Sequence, residues 1–179
     1  VKIPRKTAAS SAAFISSEGG ASGESEFTVG SVTMSPKTLG AHTDVTRQLM
    51  IQSSIDVENL IRNDLAQAMA IAIDDAALEG SGSSGNPTGI TNTSGINSVS
   101  LSSAAAPTFA EMVSMETAVR VDNALLGDLA YIVHPTNYGT LKTTEKATNT
   151  AQFVAVNDEI NGYKVVVSPQ LTANNYVFG

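Results

Sequence analysis

From Phe27 to Met34 the chain alternates, with Phe27, Val29, Ser31 and Thr33 on one side and Thr28, Gly30, Val32 and Met34 on the other, until Pro36. That period of two predicts a strand. A second strand is expected from about Ala41 to Leu49, after a turn around Thr38-Leu39-Gly40. From Ser54 to Glu79 the period becomes helical: Val57, Leu60, Ile61, Leu65, Ala68, Met69, Ala72 and Ala76 share a stripe, with Glu58, Arg62, Asn63 and Asp74 largely off it. The spacing predicts one amphipathic helix roughly 40 Å long at 1.5 Å per residue. Ser53, three residues before Asp56, resembles a capping box; Glu58 and Arg62 form an i,i+4 pair; Gly80 stands where the helix should stop.

Gly80-Ser81-Gly82-Ser83-Ser84-Gly85-Asn86-Pro87-Thr88-Gly89-Ile90 fits neither a helix nor a central strand and reads as a turn-rich connector. Residues 94–106 carry only loosely spaced apolar positions and predict weak structure. After Pro107, Thr108 and Glu111 make a capping box for a helix from Phe109 to about Val121, with Phe109, Met112, Val113, Glu116 and Val119 on one face. Ala130 to Val133 predicts a short buried strand, broken by His134-Pro135 ahead of a short helix over Thr136 to Thr144. Ile160-Asn161-Gly162-Tyr163 reads as a turn into the strand Lys164 to Val167, and another strand begins near Tyr176. The class is therefore α+β. Residues Thr7 to Gly30, rich in Ala, Ser and Gly, are anchored only by Phe14, Ile15, Phe27 and Val29 and predict a projecting loop or hairpin ordered by a neighbour.

Composition sharpens this picture. Apolar residues make up 42% of the 179, whereas charged residues, at 15%, fall well below the usual quarter. The surface is left to small neutral side chains, which suit broad contacts between subunits. A net charge of −7 with scattered basic residues argues against a phosphate-binding surface. The absence of Cys removes disulfides, thiolate metal sites and a Cys nucleophile, and fits a reducing cytoplasm. No run approaches the ~18 apolar residues that cross a bilayer, and Val1-Lys2-Ile3-Pro4 lacks a signal-peptide layout, so a soluble chain is expected. The start without Met and the close at Tyr176-Val177-Phe178-Gly179 lead us to expect a chain truncated at both ends.

Candidate chemistry is sparse. His42 and His134 are the only imidazoles, and no G-x-S-x-G elbow accompanies them, so structural roles are expected for both. A small hydrolase using Ser with His42 or His134 stays open as a rival, as does a tail or decoration protein. Gly80 to Gly89 lacks the Lys of a P-loop and follows a helix instead of preceding one. Asp74 and Asp75 are helix neighbours that diverge by about 100° and are read as solvated or interface charges. Glu18, Glu24 and Glu26 have no Asp-x-Asp spacing for a cation and are read as rim contacts to Lys or Arg of another subunit. No catalytic, cofactor-binding or metal-binding residue is assigned.

The order of these features resembles the major capsid proteins of tailed bacteriophages and prophages, with the Hong Kong phage-type fold. Val1-Lys2-Ile3-Pro4 with Phe14-Ile15-Ser16-Ser17-Glu18-Gly19 resembles the outgoing arm of that family's extended E-loop, and Phe27 through Leu39 its return strand. Val45 through Ser53 resembles the lead into the spine helix. Asp74-Asp75-Ala76-Ala77-Leu78-Glu79-Gly80-Ser81-Gly82 running on to Asn86-Pro87-Thr88-Gly89-Ile90 is the most specific match. Ala130 to Pro135 and Asn161 to Ser168 resemble axial-domain strands.

The resemblance implies an E-loop over 1–32, a peripheral domain over 33–90 with its spine helix at 54–79, and an incomplete axial domain over 91–179. It implies a self-assembling structural subunit, not an enzyme, forming pentamers and hexamers of an icosahedral shell that encloses DNA without reading its sequence. The expected location is the virion, after assembly in the host bacterial cytoplasm with a scaffold or maturation protease as further partners; no cofactor and no membrane are implied. Expected subunit-interface residues are Phe14, Glu18, Glu24, Glu26, Phe27, Arg47 and Arg62. Some family members cross-link through an E-loop Lys, but Thr7 to Ser31 contains none. An encapsulin-like compartment is the alternative shell.

Overall fold

The computed structural model describes residues 1–8, 10, 14, 25–52 and 56–179. These fall into two compact units, Val1–Thr38 and Leu39–Gly179.

The first unit is an antiparallel ribbon of β1 (Lys2–Ala8) and β2 (Thr28–Thr33), in register from Lys2 opposite Thr33 to Ala8 opposite Thr28, with an irregularity between Lys6 and Ala8. Its open end is tied by the Val1 ammonium donating to the Met34 carbonyl at 3.0 Å and the Met34 N–H donating to the Val1 carbonyl at 2.7 Å. Near the irregularity Thr7 Oγ1 donates to the Thr28 carbonyl at 3.0 Å. The predicted strand at Phe27 to Met34 is thus β2. The rest of the projecting segment, at 9, 11–13 and 15–24, lies outside the described residues.

The second unit opens with a correction. The strand expected from Ala41 to Leu49 is instead irregular chain followed by α1 (Arg47–Gln52). Thr46 accounts for the switch: its Oγ1 and carbonyl both accept from the Leu49 N–H, starting a helix through residues of good helix propensity. The long helix α2 spans Val57–Glu79. Asp56, not Ser53, is its N-cap, accepting from the Asn59 N–H at 3.3 Å; Ser53 lies outside the described residues.

Helix α3 (Phe109–Val121) begins with the expected capping box, in which Thr108 Oγ1 accepts from the Glu111 N–H and Glu111 Oε2 accepts from the Thr108 N–H at 2.7 Å. Beyond it a five-stranded mixed sheet runs in the order β4 (Ala155–Val156), β5 (Glu159–Ile160), β6 (Tyr163–Val167), β3 (Ala130–Val133), β7 (Tyr176–Phe178). Strand β3 pairs in parallel with β6 and antiparallel with β7. The connection from β3 to β6 contains α4 (Pro135–Leu141), which starts one residue earlier than expected because Pro suits the first helical position and His134 caps it through Nδ1. α4 also ends sooner than Thr144, with Lys142 at its C-cap.

Two tight hairpins complete the sheet. Asn157-Asp158 joins β4 to β5, and Asn161-Gly162 joins β5 to β6, all four residues with positive φ between 51° and 84°. Such two-residue turns match the twist of the strands, and Asn, Asp and Gly tolerate that backbone best. The core gathers Met112 of α3, Tyr131 and Val133 of β3, Tyr138 and Leu141 of α4, and Val154, Ala155, Ile160 and Val165. Tyr131 stacks at a tilt on Phe178, 4.5 Å between centroids, and its hydroxyl donates to the Met112 carbonyl at 3.0 Å. Each large apolar side chain so enclosed stabilises the fold by about 1.5–3 kcal/mol.

Candidate assembly surfaces

No described residue of the ribbon is buried. Ile3, Val29, Val32 and Met34 are exposed, and Phe27 is 58% exposed with Lys6 Nζ 5.7 Å from its ring centroid. Strand β1 carries Lys2, Arg5 and Lys6, while β2 carries no charge. Two strands alone are marginal in water, so a ribbon this open and apolar calls for a surface to lie on. Of the expected contact residues here, Phe14, Glu26 and Phe27 are exposed; Glu18 and Glu24 lie outside the described residues.

In the second unit, α2 is the bare element. Of the predicted stripe, Val57, Ile61, Leu65, Ala72 and Ala76 are half-buried whereas Leu60, Ala68 and Met69 are exposed, and only Leu78 is fully buried. Leu60 at 63% and Ile73 at 58% stand out in solvent, with Met69 and Ile71 also exposed. The opposite charge pattern to β1 appears here: Glu58, Asp64, Asp74, Asp75 and Glu79 against the single Arg62. Arg62 pairs with Glu58 at 2.5 Å, and both side chains are mostly exposed. Such a pair contributes only tenths of a kcal/mol. Arg47 opens α1 and is exposed. Of the predicted contact residues, Phe14, Glu26, Phe27, Arg47 and Arg62 are therefore exposed on their own units.

The C-terminal end of α2 is built with far more care than its middle. The last carbonyls of a helix lack partners within it. Here the chain from Gly80 returns to supply them: the Gly80 N–H donates to Ala76, Ile90 to Ala77 and Thr91 to Leu78, all at 3.0–3.1 Å. Asn92 Nδ2 takes the Glu79 and Gly80 carbonyls at 2.9 and 3.1 Å. Gly80 does not end the helix by turning left-handed, as a C-terminal Gly commonly does; its φ is −51°. It is required for closeness instead, because a β-carbon there would sit 2.3 Å from the Pro87 carbonyl oxygen.

Glu79 extends this junction to the sheet. Its carboxylate accepts from Thr172 Oγ1 and, at 2.7 Å, from Asn175 Nδ2, both in the segment between β6 and β7. Partial burial pushes the Glu79 carboxyl up, but the hydrogen bonds from Thr172 and Asn175 outweigh it and hold the group below the usual carboxylate range. Sequence reasoning missed this site, since its members lie more than ninety residues apart.

A second buried network anchors α3. Glu116, only 4% exposed, accepts from Asn161 Nδ2 at 2.6 Å and from the Tyr163 hydroxyl at 3.5 Å, and pairs with Arg120. A hydrogen bond to Tyr163, with the charge of Glu116, raises the Arg120 pKa further. On α4, the Tyr138 hydroxyl donates to Asp158, and Lys142 lies 3.7 Å from the same carboxylate. That hydrogen bond, followed by the Lys142 charge, lowers the Asp158 pKa.

A Ser-His constellation does not form at two clefts described in the second unit. His134 reaches the rim of a shallow cleft with Asp75, Glu79, Leu171 and Thr172, but no Ser lines it and its Nδ1 is engaged as the α4 cap. The larger groove, bordered by Ile96, Val99, Met115, Val119 and Tyr176, contains neither His. Among the described residues no group of three or more His, Asp and Glu is placed to hold a metal ion. None of the described helices is long and apolar enough to cross a membrane.

The described residues thus present open apolar surface on an α+β frame. The chain belongs to the phage capsid family, whose match covers residues 1–179. It is 32% identical over 162 residues to the major capsid protein of Halomonas phage phiHAP-1, covering 90% of this chain and 27% of that protein, so it spans about a quarter of that relative's length. The fold is that of a capsid protein: the whole chain superposes with a TM-score of 0.74 and 18% identity on 67% of a chain from the capsid of a native GTA particle computed with C5 symmetry.

Proposed function

We propose that this chain forms part of a subunit that assembles with copies of itself into the icosahedral shell of a tailed phage or prophage, and that it works by shape without catalysis. The observation that carries this reading is the bare apolar and charged surface of α2 and of the β1–β2 ribbon in a chain of the phage capsid family. In this reading residues 1–32 are the E-loop, 33–90 a peripheral domain built on α2, and 91–179 an axial domain. The ribbon of one subunit lies over the next, and Phe14, Glu18, Glu24, Glu26, Phe27, Arg47 and Arg62 contribute to those contacts. Heterologous contacts of this kind close into rings of five and six, and rings joined edge to edge close into a shell. Each contact can be weak because a subunit is held on many sides at once. The shell is a virion component assembled in the bacterial cytoplasm, with a scaffold or protease assisting, and its acidic balance leaves enclosed DNA unbound.

Electron microscopy of the complete parent protein, expressed alone and concentrated, tests this. Uniform shells, or rings of five and six subunits, are expected. A monomer at every concentration, with and without a co-expressed scaffold, would overturn the reading.

A further inference from the structure

The chain contains a single Asn-Gly step, Asn161-Gly162, and it forms the tip of the β5–β6 hairpin with φ of 51° and 84°. The backbone there is exposed, but the Asn161 side chain is anchored inward: Nδ2 donates at 2.6 Å to Oε2 of Glu116, itself 4% exposed. Gly after Asn removes the Cβ that ordinarily shields the next backbone nitrogen, so this is the position in the chain most open to attack on a side-chain amide. We propose that Asn161 is a site of spontaneous deamidation, held closed by Glu116, and that its conversion runs one way.

In the reaction the Gly162 backbone nitrogen, giving its proton to solvent, attacks Cγ of Asn161. The N–Cγ bond forms, the Cγ–Nδ2 bond breaks, and Nδ2 departs as ammonia with a proton from water. Water then adds to the cyclic imide and opens it to aspartate or isoaspartate. No oxidant or reductant takes part.

Glu116 restrains the first step in two ways. Donation from Nδ2 to a carboxylate feeds electron density into the amide and makes Cγ a poorer electrophile. The same bond, with the paired Ile160 and Tyr163 on either side, holds the turn in a conformation that ring closure must leave. After conversion the latch cannot re-form. Aspartate at 161 would face the like charge of Glu116, whose pairing with Arg120 is already made. Isoaspartate adds a backbone carbon to a two-residue turn and breaks the β5–β6 register.

Peptide mapping by mass spectrometry can follow amide-to-acid conversion at Asn161 in the intact polypeptide at mildly alkaline pH, folded and in urea. The folded chain is expected to convert about ten-fold or more slowly, because a protected group reacts in proportion to its open population. Equal rates overturn the proposal. Glu116→Ala, if its circular dichroism is retained, should convert several-fold faster than wild type, whereas Glu116→Gln, which keeps a carbonyl acceptor, should stay close to it. A folded Glu116→Ala chain converting at the wild-type rate overturns the role of Glu116. If that variant does not fold, Asn161→Asp against the double variant Asn161→Asp with Glu116→Gln decides: both carry aspartate on the same backbone, but only the first faces a like charge, so it should unfold at lower urea. Equal stability of the two overturns the one-way step.

Discussion

Gly89 lies directly against Gly80: its N–H donates to the Gly80 carbonyl at 2.8 Å, and a β-carbon on Gly89 would stand 2.4 Å from the Gly80 nitrogen. No side chain fits, because the obstructing atoms are backbone. Gly89→Ala should therefore force the returning loop off the end of α2 and cost about 2–4 kcal/mol, in the range of severe overpacking. Gly85→Ala, where nothing lies within 4 Å but φ is +89°, should cost about 1 kcal/mol from backbone strain alone. Urea unfolding of the two variants checks the ranking; equal losses would mean that close approach is not what selects Gly89.

Helix α3 has an acid-sensitive cap. Backbone hydrogen bonds from Ser102 and then Thr108 hold the Glu111 carboxyl at about 2 against an ordinary 4.5. The folded value is the lower one, so the unfolded chain takes up the proton first as pH falls. The contribution of Glu111 is complete above about pH 4.5 and is lost as pH falls towards 2. Glu79 and Asp158 shift in the same direction. In a series of unfolding curves between neutral and acid pH, Glu111→Gln should flatten the acid limb. An unchanged slope would show that the cap does not couple to global unfolding.

The Tyr131 hydroxyl is buried and donates to the Met112 carbonyl, joining β3 to α3 through the middle of the core. Tyr131→Phe keeps the ring contacts with Phe178 and Tyr163 and removes only this bond. A loss of about 1 kcal/mol is expected by chemical denaturation. A neutral result would assign the stability of this junction to ring packing alone.

On α2, Leu60→Asp and Ile73→Asp change residues that stand 63% and 58% exposed. Subunit stability should move by about 0.5 kcal/mol or less, the usual range for surface changes. Assembly should be lost, since a charge set in a contact core is left unpaired and desolvated. Sedimentation and electron microscopy of the complete protein separate the two effects; normal shells from both variants would remove α2 from the list of contact surfaces.

How much of this was legible in the sequence depends on how local the cause was. Helix α3 could be read because Thr108 and Glu111 sit three residues apart and act within one turn. The turn into β6 could be read because Asn161-Gly162 carries its own turn geometry, whereas the two-residue strands β4 and β5 are too short to show a period. Strand β3 announced itself by a run of apolar residues before Pro135. The stretch from Ala41 to Leu49 misled because a few apolar residues suit either period, and the side chain of Thr46 settled the matter. The stripe on α2 placed Ile61, Leu65 and Ala72 on one face, but a period says nothing about what covers a face, and Leu60 and Met69 of the same stripe are left open. Gly80 to Ile90 was legible as a turn and not as a cap, since its bonds to Ala77 and Leu78 depend on the loop's return path. The meeting of Glu79 with Thr172 and Asn175 has no local signal at all.

The junction at the end of α2 also determines how tension would travel. The covalent path from Glu79 to the sheet runs through the long segment preceding α3 and β3, which alone would pay out slack before transmitting any pull. The bonds of Glu79 to Thr172 and Asn175 bypass that slack, while those from Ile90, Thr91 and Asn92 hold the connector to the last turn. The two Glu79 bonds end on the two oxygens of one carboxylate and so are loaded side by side. A tug along the helix is thereby delivered to the strands directly, and the turn-rich loop behaves as a rivet, not a hinge.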